Sequence, residues 1–209
     1  MRTRTKLLAA AAVVVALLVV GDFVVRGLAE GQLADRARAA VPGATGADAE
    51  IRSFPFVGRL LVNGSVPDVR VRVDHVGAGP LAFTFVQVEL HGVHLDRNRL
   101  FRDRKVRITS LDSGTATAEL SDSELSRVLG VRVSSHGGRL TVTTGKVTAP
   151  GQVEARAGVL TITAARVPLQ RIRIPNAPLL SCPPEDVTVV DGGVRVSCTI
   201  SRIPPELVG

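Results

Sequence analysis

The sequence predicts an α+β domain in which an early helix covers one face of a long, curled antiparallel sheet. Three observations predict it. Helix formers dominate the chain up to Pro42-Gly43, alternation with period two dominates it after Gly46, and one short helical interlude interrupts the alternation midway.

The first element, "MRTRTKLLAAAAVVVALLVVGDFVV", opens with Arg2, Arg4 and Lys6 and then runs apolar from Leu7 to Val20. Phe23, Val24 and Val25 carry the apolar stretch to about 28 Å of helix, close to the hydrocarbon thickness of a bilayer. The stretch is longer than a usual secretory h-region, no A-x-A site follows it, and no cysteine is placed to take a lipid. It reads as an uncleaved signal anchor over residues 1–25, with a cleaved signal peptide as the alternative. Asp22, near the outer end, is tolerated there because the cost of a charge falls toward the interface. In either case the basic end stays in the cytoplasm and the rest of the chain is exported, with the domain on the outer side of the cytoplasmic membrane. Residues 26–46 continue as an amphipathic helix and linker, with Val25, Leu28, Leu33, Ala37, Ala40 and Val41 loosely on one face.

Residues 47–209 form the β-rich part. "AEIRS", "VPDVRVRVDHV", "AFTFVQVEL", "KVRITSL" and "GTATAEL" read as half-buried strands. "SDSELSRVLG" is the helical interlude, with Ser121 or Asp122 as N-cap and Gly130 as its stop. "VRVSS", "RLTVTT", "QVEARAG", "VLTITAA" and "RIRI" follow, with "HGG", "APG" and "DGG" as turns. Cys182 and Cys198, the two cysteines of the chain, flank the hairpin "DVTVV-DGG-VRVSC". In an exported protein this spacing predicts a structural disulfide across the hairpin.

The charge excludes some functions. Of 26 basic and 19 acidic residues, three and one fall in the first 25, so the remainder carries +5. Only three of the basic residues are Lys; Arg forks suit carboxylates and phosphates. With no Trp or Tyr there is no stacking platform for nucleic acid, and anionic lipid or glycan phosphate suits this balance better. His91 and His94 in "HGVH" are three apart, which on a strand sends the rings to opposite faces. His75 and His136 sit beside turns. No Cys or carboxylate cluster completes a metal site, and no cofactor-binding loop or nucleophile elbow appears; a carboxylate pair brought together in three dimensions is the alternative, and the expectation is a protein without enzymatic activity.

What remains is apolar and basic. In "SFPFVGRLLVNG", Phe54, Phe56, Val57, Leu60 and Leu61 crowd around Pro55 and Arg59. They either plug the end of the core or line the mouth of an apolar cavity. "DRNRLFRDRKVR" gathers Arg97, Arg99, Arg102, Arg104, Lys105 and Arg107 around Leu100 and Phe101. This is either a solvated loop with its two apolar residues tucked inward, or a docking element for an anionic membrane surface.

A basic start, one apolar helix, an Asp just after it, a helix rich in Ala and Glu, and "SFPF" before alternating strands together resemble the LmeA-like phospholipid-binding proteins of the actinobacterial envelope. That family shows a Gly-Phe-Pro-Phe element here; Phe54, Pro55 and Phe56 match it, and Ser53 departs from the glycine. "LSDSELSRVLG" resembles the family's mid-chain helix. The resemblance implies a tubular lipid-binding-like fold, a long helix on a strongly curved antiparallel sheet, with acyl chains between them. It implies an exported phospholipid binder that supports envelope lipid or lipoglycan homeostasis. Phe54, Phe56, Val57, Leu60 and Leu61 would then meet the lipid, and Arg59 or the Arg97–Arg107 run with Leu100 and Phe101 the anionic headgroup and membrane surface. The alternative is a scaffold or chaperone-like partner of a membrane-bound envelope enzyme, using the same apolar element.

Overall fold

The computed structural model describes residues 2–41, 43–103, 107–175, 179, 180 and 182–203; side chains at 2–11, 14, 15, 61, 97, 100 and 101 lie outside that description. One unbroken helix of 39 residues, α1 (Arg2–Ala40), joins the apolar N-terminal segment to the segment that docks on the domain. Its docked row steps by four, from half-buried Val25 through Ala29, Leu33 and Ala37 to Val41, the last four at most 2 % exposed. Leu28, expected on this face, is 61 % exposed instead. It lies about 100° behind Ala29 around the helix, and the docked row drifts the other way. Among the described residues no helix is long and apolar enough to cross a membrane. The expected span draws on residues 7–11, 14 and 15, whose side chains are outside the description.

The helix lies against β1 (Gly46–Arg52), the edge strand of the first sheet. The Glu30 carboxylate of α1 accepts the Ile51 amide at 2.7 Å and the Arg26 Nε at 2.9 Å. A backbone donor of an edge strand is thereby occupied by the protein itself. β2 (Ser65–Ala78) and β3 (Leu81–Leu95) form a long hairpin beside β1. β4 (Ile108–Ser110) pairs with the far end of β3, and β5 (Ser113–Ser121) with its middle. The chain then leaves for the second sheet and returns as β11 (Asp186–Val190) and β12 (Gly193–Ile200), giving the order β1-β2-β3-β5-β12-β11.

The second sheet is a meander, β10-β9-β8-β7-β6, made of β6 (Arg132–His136), β7 (Arg139–Thr144), β8 (Val147–Arg156), β9 (Val159–Ala164) and β10 (Val167–Arg173). The expectation of one strongly curved, tubular sheet is therefore corrected: two open antiparallel sheets form, neither closed nor strongly curled. The connections explain the division. Two-residue turns, such as Gly137-Gly138 with φ of 56° and 73°, let β6 to β10 pair only with their chain neighbours. The free edge of β5 is meanwhile taken by β12 over eight residue pairs, so β6 cannot continue the first sheet. "APG" is no turn either, because β8 runs through it. Pro150 pairs with Thr141 on one side, and pairing to β9 starts only at Gly151, so at the proline the strand is still an edge.

One continuous core runs through both sheets, from Val71, Val86 and Val88 to Val142, Leu160 and Ile162. α4 (Asp122–Leu129) is wedged between them with Leu125 fully buried. It is capped as its sequence predicts: Ser121 Oγ accepts the Glu124 amide at 3.2 Å, and Gly130 ends the helix at φ 67°. The Arg127 guanidinium, hydrogen-bonded at 2.6 Å, holds the Glu124 carboxyl below its usual value near 4.5. Burial opposes this, and the Ala82 amide at 2.7 Å assists it. A depressed carboxyl contributes stability above its unfolded pKa and loses it as pH falls through the folded one. Urea titrations stepped from neutral to acid pH should show that loss, and Glu124→Gln should flatten that part of the profile.

Cys182 and Cys198 are bonded, with Cα atoms 5.9 Å apart and a sequence separation of 16. The bond ties β12 to the segment that enters β11 rather than to β11 itself, because Cys182 precedes the strand. Reduction should lower the unfolding free energy by about 3 kcal/mol in the chain-entropy model, measurable by urea melts with and without reductant.

Candidate functional site

The stretch around Pro55 folds as a helix, α2 (Phe56–Asn63), where the sequence reading had only an apolar segment. Phe56 and Leu60 are four apart and share its buried face, and Gly64, left-handed at φ 67°, ends it by donating to the Leu60 carbonyl at 3.0 Å. The Gly64 carbonyl accepts the Leu95 amide at 3.0 Å, which fixes α2 to the end of β3. Pro55, at the N-cap in extended conformation, has no side-chain acceptor for the free amides of the first turn. That role falls to Asp22 of α1. Its Oδ2 accepts the Phe56 amide at 2.9 Å and its Oδ1 the Val57 amide at 2.6 Å, with the side chain almost wholly buried. A carboxylate at the positive end of a helix is favourable in itself, so the acid of one apolar helix caps another, and the amides it accepts stabilise it in turn.

Between these two helices lies an open groove of about 500 Å³. α1 supplies Leu17, Leu18, Val19, Gly21, Asp22 and Val25; the opposite wall is Phe54, Pro55, Val57 and Gly58. The rings of Phe23 and Phe54 meet at 6.2 Å between centroids. The volume of the groove falls within the range of small-ligand sites, roughly 300–1,000 Å³, and among the described residues Asp22 is the only polar side chain in the lining.

The two alternatives for this stretch divide within a few residues. Phe54, 59 % exposed, and Val57 line the groove, whereas Phe56 and Leu60 are fully buried in the core beneath it. The Leu61 side chain lies outside the described residues. Arg59 is exposed, follows the groove-lining Gly58, and makes no ion pair among the described residues. The basic run forms a short helix, α3 (Arg97–Asp103), that leaves the same end of β3 to which α2 is fixed. Arg99 and Arg102 are exposed there, Arg99 with Asp96 as a loose partner at 3.9 Å. Arg107 is half-buried, and its carbonyl accepts the Asp96 amide at 2.9 Å. Arg104 and Lys105, with the side chains of Arg97, Leu100 and Phe101, lie outside the described residues.

The fold thus brings α2, α3 and the groove to one end of the first sheet, and α1 projects past that end. The α1 wall escaped the sequence reading, which placed lining residues on the second wall alone. The available signal was Asp22 itself, a lone acid in an apolar helix. The histidines do not converge: His91 meets Asp68 at 2.6 Å, His75 meets Thr45 at 2.8 Å, and His136 lies 3.5 Å from Asp191. Among the described residues no three His, Cys, Asp or Glu side chains are grouped closely enough to hold a metal.

The family model described as LmeA-like phospholipid-binding matches residues 20–199, most of the chain. No curated protein and no solved structure matches it.

Proposed function

This chain belongs to the LmeA-like phospholipid-binding family, and from that premise we propose that it holds a phospholipid acyl chain in the groove between α1 and α2. The observation that carries the proposal is the groove itself, about 500 Å³ with a single polar side chain among its described lining residues. Arg59, beside that lining and without a counter-ion among the described residues, supplies a fork for a headgroup phosphate. The exposed arginines of α3 at the same end add attraction to an anionic surface, about 1 kcal/mol for each charge close to it.

In this reading the protein is exported and non-enzymatic, and it supports envelope lipid or lipoglycan homeostasis by binding lipid. Asp22 is the first buried residue of α1 among the described side chains, and about 20 residues at 1.5 Å each precede it, roughly 30 Å of helix. That length suits an anchor in the cytoplasmic membrane, with the basic terminus inside and the domain on the outer side.

A second reading is favoured by one feature. Phe56 and Leu60 fill the space under α2, so the site is an open groove and not a closed tunnel. An apolar segment of a membrane-bound envelope enzyme would fit such a groove as well. Native mass spectrometry of the full chain purified from membranes separates the two. Co-purified phospholipid, and binding to phosphatidylinositol or cardiolipin vesicles over phosphatidylcholine ones, are expected. Absence of both would sink the lipid reading, and cross-linking of Phe54 to a protein partner in place of lipid would establish the second.

A further inference from the structure

The lipid-binding reading gives no task to Asp22, the one polar side chain among the described lining residues of the groove. Asp22 is 5 % exposed and belongs to α1, yet both its oxygens are used on the opposite wall, by the amides of Phe56 and Val57. Those two residues follow Phe54 and Pro55 directly, and Val57 is itself a lining residue. The bridge therefore ties one wall to the other at the floor of the groove.

A tie of this kind differs from apolar contact in what it fixes. The Phe23–Phe54 pair would tolerate sliding, because ring contacts are favourable over a broad range of centroid distances. Two charge-assisted hydrogen bonds at 2.9 and 2.6 Å weaken steeply when length or angle changes. The separation between α1 and the start of α2 is consequently set by the reach of one aspartate side chain. A glutamate would hold the same amides one methylene further away. An asparagine would offer a single acceptor and turn its own donor toward the second amide.

We propose that Asp22 is the positioning residue of the groove: by capping α2 across the gap it sets the groove's width, and through the width the bulk of the acyl chain admitted. The inference rests on the reading that the groove holds an acyl chain, and the test keeps the two apart. Full-length wild-type protein, Asp22→Glu, Asp22→Asn and Asp22→Ala are purified from the same membranes in the same detergent. Retained phospholipid is counted by native mass spectrometry, its acyl chains are identified after extraction, and thermal melts are recorded in parallel. Ser121→Ala removes a hydroxyl helix cap on α4, away from the groove, and serves as the stability control.

Asp22→Asn and Asp22→Ala should retain at least tenfold less phospholipid than wild type, with Ser121→Ala unchanged. Asp22→Glu should retain lipid but shift its acyl composition toward bulkier chains, a change that loss of stability alone cannot produce. Wild-type retention in Asp22→Asn and Asp22→Ala, or an unaltered acyl composition in Asp22→Glu, would overturn the positioning role while leaving the lipid reading intact. Equal loss in Ser121→Ala would overturn it too, by making retention a matter of stability. Wild-type protein that carries no phospholipid would overturn both.

Discussion

Phe56→Ala should destabilise the domain by about 3–5 kcal/mol, the usual loss for a buried phenylalanine, whereas Phe54→Ser should stay within about 1 kcal/mol of wild type. The contrast follows from burial: the Phe56 side chain is fully enclosed in the core, and that of Phe54 is 59 % exposed with the Phe23 ring as its aromatic contact. Lipid retention should divide the other way. Phe54→Ser removes a wall of the groove and should release phospholipid from a folded protein. Phe56→Ala should release it only to the extent that the protein unfolds. Urea melts and native mass spectra on the two single variants are sufficient, and equal destabilisation by both would refute this division of the stretch.

The second large effect is expected on the other wall. Leu17 and Leu18 are 66 % and 68 % exposed, and both line the groove. Leu17→Gln with Leu18→Gln keeps good helix formers at both positions and touches no core residue. The unfolding free energy of the domain in detergent should change by no more than about 0.5 kcal/mol per site, because neither side chain belongs to the core. Retained phospholipid should fall by more than about tenfold, equivalent to about 1.4 kcal/mol of binding. Full retention in detergent-purified double variant would mean that α1 contributes no lipid contact.

Local signals made much of this fold legible. Alternation placed the strands, and Ser121 and Gly130 marked both ends of α4, because capping depends on residues within one turn of the boundary. The paired cysteines were legible from their spacing, given the expected export. What escaped depends on distant partners. α2 was hidden because its N-cap is Pro55, a weak signal on its own, and because the acceptor for its first amides comes from Asp22, 34 residues before Phe56. The split into two sheets turns on β12 reaching the free edge of β5 before β6 can, an outcome no single segment encodes. The site was half legible for the same reason. "SFPF" announced an unusual apolar element, but which phenylalanine faces inward is decided by α2 and by the helix across from it.

The uninterrupted course of α1 has a mechanical consequence. Its free segment and its docked row belong to one rod, and the Asp22 bridge and the Glu30 contact with Ile51 clamp that rod to the domain at two levels. No swivel interrupts the helix between its two parts. In the proposed anchoring, transmembrane helices lean about 20° from the bilayer normal on average, and the domain would inherit whatever lean α1 adopts, as a load fixed to a lever arm. The bilayer would then act on the groove as a torque: a change in membrane thickness that alters the lean would re-aim the mouth of the groove without any rearrangement inside the domain.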